Sequence, residues 1–148
     1  MKSRGARREV GFKKRFLPVA VTHLTVVRAG VRHPWSVNHA YADGSQQGEL
    51  GGWGVVMLVP GQPDAHHSGL ASVNDNGACE LVAVLEAVRR APPGQPLTVH
   101  TDATSVVQAV RRGTRHPDQT ELGAEVRRLA QERGIELRVS TLRRDARR

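Results

Sequence analysis

The apolar residues of this chain first change period near residue 78, and that change constrains the fold more than any other feature. Upstream, the runs have the twofold alternation or the β-branched continuity of strands. In His39 to Asp43, Tyr41 and Asp43 share one face while Ala40 and Ala42 share the other. Trp53 to Val59 is a second strand whose start, GGWG, reads as a bulge with Trp53 in the core. Pro60-Gly61-Gln62-Pro63-Asp64 is a turn, so a third strand returns over about Ala65 to Ser72 and completes an antiparallel meander. Downstream, ACELVAVLEAVRRA sets Leu81, Val84, Leu85 and Val88 at helical spacing, with Asn76 as the expected cap and Pro92-Pro93-Gly94 as the stop. Leu97 to Asp102 is a fourth strand and ATSVVQAVRRG a second helix closed by Gly113. Pro117-Asp118, with Glu121 three residues on, reads as the cap of a third helix, striped by Leu122, Val126, Leu129 and Ala130 and ended by Gly134. IELRVS is the last strand, with Ile135, Leu137 and Val139 facing one way. The order β-β-β-α-β-α-α-β predicts an α/β fold. Its mixed five-stranded sheet has an antiparallel β1-β2-β3 meander, then parallel β4 and β5, with flanking helices.

A chain of 148 residues is one domain by length, and with only 3% aromatic residues its core must be mostly Val, Leu and Ala. The single cysteine, Cys79, rules out an internal disulfide framework and suits a reducing compartment. No apolar run reaches the length of a membrane span, and the basic start MKSRGARREVGFKKRF lacks the apolar core of a secretory signal. A cytoplasmic monomer without membrane contact is the expectation. Charge is unevenly spread. Residues 1 to 32 hold nine Lys and Arg, residues 33 to 88 none, and eleven arginines lie from Arg111 to Arg148. An acidic centre between basic arms suits a polyanion held by basic surfaces while carboxylates handle a cation in the middle. Residues 1–36, basic and with the β-rich piece VTHLTVV, read as an extension, and residues 37–148 as the domain.

The glycines at 48, 51, 52 and 54 do not make a nucleotide-binding fingerprint, because a strand follows them where a phosphate-binding helix would be needed. They suit a tight turn and a close backbone approach. Three acids carry the chemistry. Asp43 ends the first strand, Asp102 ends the fourth, and Glu80 sits near the start of the first helix among Ala83, Val84 and Ala87, which turns it toward the sheet. Converging carboxylates repel each other and a buried one is costly, and a divalent cation resolves both problems. Mg²⁺, with Mn²⁺ as substitute, takes oxygen ligands and borrows others from substrate phosphates; two such ions about 3.5–4 Å apart activate water and stabilise the leaving 3′-oxygen in phosphodiester cleavage. His66-His67 point to opposite faces and make a poor metal site, Cys79 is core, and His100 either borders the site or packs.

Ala42-Asp43-Gly44-Ser45, Gly51-Gly52-Trp53-Gly54, Asn76-Gly77-Ala78-Cys79-Glu80-Leu81-Val82-Ala83 and Thr101-Asp102-Ala103 together resemble the ribonuclease H type 1 family, in order and spacing, from about His39 to Val110. The resemblance implies a ribonuclease H-like fold, with Asp43, Glu80 and Asp102 as catalytic metal ligands. It also implies a metal-dependent endonuclease that hydrolyses the RNA strand of RNA–DNA hybrids, with Gly44, Ser45 and Asn76 contacting the hybrid. Asn76 serves equally as a plain helix cap. Arg111 and Arg112, with Arg115, stand in part for the basic insertion of some members. The family pattern is broken at Gly77, Ala78 and Ala103. After the last strand the chain reads STLRRDARR, so the closing helix is expected to be truncated and no histidine follows His116. Asp145 is then the candidate fourth metal ligand, or equally a solvated acid among arginines. The alternative to a nuclease is a catalytically weak or inactive ribonuclease H-like module that binds nucleic acid.

Overall fold

The computed structural model describes residues 37–73 and 75–142. The basic extension with VTHLTVV, and Asp145 with its neighbouring arginines, lie outside the described residues.

Among the described residues eight elements follow in the expected order: β1 (Asn38–Gln47), β2 (Leu50–Leu58), β3 (Ala65–Ala71), α1 (Asn76–Arg90), β4 (Leu97–Thr101), α2 (Thr104–Arg111), α3 (Pro117–Glu132) and β5 (Leu137–Thr141). They form one five-stranded sheet in the order β3-β2-β1-β4-β5. The first three strands are antiparallel neighbours, whereas β1–β4 and β4–β5 are parallel. A two-residue turn at Gly48 (φ 61°) joins β1 to β2, and this left-handed backbone is one that glycine adopts without steric cost.

Alternation decides which side of β1 is core. Ala40, Ala42 and Gly44 are buried, while His39, Tyr41 and Asp43 between them are half-buried. Ala40 and Ala42 join Val55, Met57, Leu97 and Val99 of the neighbouring strands in one core with Leu81, Val84, Leu85 and Val88 of α1. The stripe read from the sequence is thus the face that α1 lays on the sheet. Trp53 is in this core as expected, and Gly69 on β3 makes room for it, since a Cβ there would lie 2.9 Å from the indole. The Arg90 guanidinium covers the indole from outside, 5.0 Å from the ring centroid. On the other face Val56 and Leu142 form a smaller cluster with Tyr41 and Leu58.

Four local expectations change. β1 does not end at Asp43 but continues to Gln47, because β2 keeps pairing with it from His39↔Leu58 to Gln47↔Leu50. That register is unbroken, so GGWG is a regular strand start without a bulge. The cap of α1 is Asp75, not Asn76: Asp75 has extended backbone angles and its side chain accepts the Ala78 N–H at 2.8 Å, which leaves Asn76 as the first helical residue. α3 has no side-chain cap. It starts at Pro117, whose missing N–H costs nothing in the first turn, and Asp118 lies inside that turn where a carboxylate favours the helix dipole.

Candidate active site

Strand register builds the site. β1 and β4 are parallel and Tyr41 lies opposite His100, so Asp43 and Asp102, each two residues further along, come to the same level on the same side. Glu80 arrives from the helix layer. Gly44 makes that possible: a Cβ on it would overlap the Cys79 carbonyl and the Glu80 amide nitrogen, so only glycine lets the α1 backbone rest on β1 there. The Gly44 N–H donates to Glu80 Oε1 at 3.1 Å and aims the carboxylate toward the strand ends. One carboxylate oxygen from each of Asp43, Glu80 and Asp102 lies within 4.8 Å of the others. Glu80 is 7% exposed, and the two aspartates are half-buried.

Three carboxylates in this space repel one another, and part of their hydration is lost. The donor set is all oxygen, with neither sulfur nor imidazole among the three. Hard divalent cations such as Mg²⁺ and Mn²⁺ suit such a set, and its partly open side leaves coordination positions for water or substrate oxygens. The residues therefore fit a bound divalent metal.

Below the two aspartates is a stack of rings. Tyr41 and His100 lie 4.6 Å apart between ring centroids, and His39 and His100 5.2 Å apart. His39 Nδ1 and His100 Nε2 share a hydrogen bond at 3.0 Å. His100 is buried, so of its two expected places it takes the packed one, in the ring stack with Tyr41 and His39. Burial pushes the His39 pKa down and the Tyr41 pKa up.

The remaining expected residues separate. Gly44 is buried, and its N–H donates to Glu80 Oε1. Ser45 follows it on β1, half-buried and opposite Gly52. Asn76 is exposed at the start of α1. Arg111 and Arg112 are exposed at the end of α2, and Arg111 also lines a cavity of about 600 Å³ between α2, α3 and β5 that holds none of the three acids. His66 and His67 join no cluster of metal-binding side chains among the described residues. Cys79 is buried, with Sγ 3.7 Å from the Val73 carbonyl oxygen. Two residues that no motif marks hold the start of α1: Asp75, its cap, and Gln119, buried in α3, whose Nε2 donates to Asp75 Oδ2 at 3.0 Å. The Gln119 amide, then the Ala78 N–H, holds the Asp75 carboxyl below its usual range.

The RNase H family model matches residues 36–138. The chain belongs to the RNase H family. Among curated proteins, a Ribonuclease H of Chlorobium luteolum is 35% identical over 75 residues, a match covering 49% of this chain and 51% of that protein. The chain thus spans about half the length of the curated relative it matches. The RNase H fold is shared with RNase H1 of the halophilic archaeon Halobacterium salinarum, at a TM-score of 0.64 and 19% identity over 73% of this chain and 86% of that one. It is likewise shared with the N-terminal RNase H domain of a Mycobacterium tuberculosis protein, at a TM-score of 0.60 and 19% identity over 73% and 88% of the two chains. LC11-RNase H1, solved in complex with an RNA/DNA hybrid, aligns at a TM-score of 0.62 and 18% identity over 73% and 86%.

Proposed function

We propose that this RNase H family member is a divalent-metal-dependent endonuclease that hydrolyses the RNA strand of RNA–DNA hybrids. The observation that carries the reading is the meeting of Asp43, Glu80 and Asp102 oxygens within 4.8 Å, in a chain of this family. Binding of an RNA/DNA hybrid by LC11-RNase H1, which has the same fold, supports the choice of substrate. Asp43, Glu80 and Asp102 hold Mg²⁺ or Mn²⁺, and Asp145 is the proposed fourth ligand. When bound, a pair of such ions supplies an activated water and stabilises the leaving 3′-oxygen. The chain's own residues orient these parts. The Gly44 N–H fixes the Glu80 carboxylate, and register fixes the two aspartates. Ser45 and the Asn76 amide meet the shallow minor groove, where ribose 2′-hydroxyls distinguish RNA from DNA. Arg111 and Arg112 hold phosphates further out. Among the described residues no helix is long and apolar enough to cross a membrane. A cytoplasmic monomer accompanies the reading.

The test is cleavage of labelled RNA–DNA hybrid, duplex RNA and duplex DNA by the purified chain with Mg²⁺ or Mn²⁺. Hybrid alone is cut, and Asp43→Asn abolishes cutting. Full activity in Asp43→Asn, or equal cutting of duplex DNA, sinks the proposal. Salt-sensitive hybrid binding without cleavage in either metal assigns a binding module instead.

A further inference from the structure

A buried amide ties the start of α1 to the start of α3. Gln119 lies in the first turn of α3 and is 5% exposed. Its Nε2 donates to Asp75 Oδ2 at 3.0 Å, the same oxygen that accepts the Ala78 N–H at 2.8 Å. Its Oε1 accepts from the Thr114 hydroxyl at 3.5 Å. The loop carrying Thr114 is itself closed: the Thr114 N–H donates to Thr120 Oγ1 at 2.9 Å, and that hydroxyl donates to the Thr114 carbonyl at 3.0 Å. Gly77 leaves the space the amide occupies, since a Cβ there would overlap Gln119 Nε2.

Asp75 and Asn76 are adjacent, and asparagine is as good a helix cap as aspartate. Local preference therefore does not decide which of them caps α1. The bond from Gln119 favours Asp75, because it is made to the same carboxylate oxygen that accepts the Ala78 N–H and caps the helix. We infer that Gln119 is a positioning residue for substrate recognition. It holds the cap on Asp75, and Asn76 remains the first helical residue with its amide exposed toward the hybrid. This rests on the nuclease reading above. Glu80 is anchored separately, by the Gly44 N–H and by the close contact of Gly44 with the Cys79–Glu80 backbone. Recognition of the hybrid and binding of metal are thus held by two independent ties along one helix, and they separate on mutation.

The experiment compares wild type with Gln119→Ala, Gln119→Glu and a stability control in the same helix, Val126→Ala. Steady-state cleavage of labelled hybrid is read together with Mn²⁺ binding by calorimetry and with Tm. Gln119→Ala raises KM ~2- to 10-fold, the worth of one hydrogen bond, and leaves kcat and Mn²⁺ affinity within ~2-fold. Val126→Ala lowers Tm without raising KM. Gln119→Glu sets a carboxyl against Asp75; its KM relative to wild type is high at neutral pH and falls as the pair takes up a proton at lower pH. Gln119→Ala shows no such recovery. An unchanged KM in Gln119→Ala overturns the inference. So does a loss in which KM, kcat and Mn²⁺ affinity shift together. If wild type cuts no hybrid, the nuclease reading fails on its own, and fluorescence anisotropy with the same labelled hybrid decides the role of Gln119. A Kd raised in Gln119→Ala supports it, whereas an unchanged Kd or no binding by wild type overturns it.

Discussion

Glu80 and Gly44 show how a single missing side chain creates a site. Glu80 is buried on a helix whose neighbouring positions are apolar, and a carboxylate there is costly unless hydrogen bonds or a cation compensate it. Gly44 supplies the first by its N–H, and supplies proximity by having no Cβ. Gly44→Ala is expected to lift α1 from β1 at a cost of ~1–3 kcal/mol, read from urea unfolding, and to weaken Mn²⁺ binding as well. Unchanged metal affinity in that variant would separate Gly44 from the site. Glu80→Gln keeps an acceptor for the Gly44 N–H but removes the charge. It should stay folded and lose at least the ~10- to 100-fold in metal affinity that even outer partners of a metal site are worth, measured by calorimetry. Asp75 carries a pH signature. Its carboxyl is held below its ordinary value of 3.8, so its contribution to stability is complete above that pH and is lost as pH falls through the lower folded value. Asp75→Asn should remove this part of the acid sensitivity, seen as a flatter unfolding midpoint across that range.

At the scale of elements, what matters is how closely the helices approach. α3 meets α2 at Gly123, where a Cβ would overlap the Ala109 carbonyl. Arg127 of α3 then donates to the Ala109 and Val110 carbonyls, at 3.4 and 2.5 Å, and closes the C-terminal end of α2. Gly123→Ala is expected to cost ~1–3 kcal/mol in urea unfolding through overpacking, with Mn²⁺ affinity retained because neither helix carries one of the three clustered acids. A loss of metal binding in proportion would show that the helix pair shapes the carboxylate cluster after all. The capping of α1 is where sequence and structure part most clearly. Asn76 and Asp75 are equivalent on local grounds, and the partner that chooses between them lies 44 residues away on another helix. No window of the sequence contains both. The extension of β1 past Asp43 has the same origin, since only the run of partners on β2 shows how far a strand continues.

Over the whole molecule, the proposed metal and hybrid binding are open to test through stability and salt. An ion that binds the folded chain alone stabilises it by ~2.7 kcal/mol at a hundred times its Kd. Mn²⁺ should therefore raise Tm in wild type and leave Asp43→Asn unmoved, an outcome that a scan with and without chelator decides. The uneven charge, nine basic residues before residue 33 and eleven from Arg111 onward, predicts hybrid affinity that falls steeply as salt rises. A salt-independent Kd would remove the basic arms from the account of binding.

The sequence by itself determined the element order, the sheet class, the buried stripe of α1 and the three acids, because periodicity and residue type are local and each acid stands in a motif of its own element. Only the tertiary structure decided that Asp43 lies within a strand and not at its end, that Asp75 caps α1, that His100 is buried and that Gln119 reaches Asp75. Each of these depends on which distant backbone comes to lie alongside, and that choice is made by packing the whole chain at once.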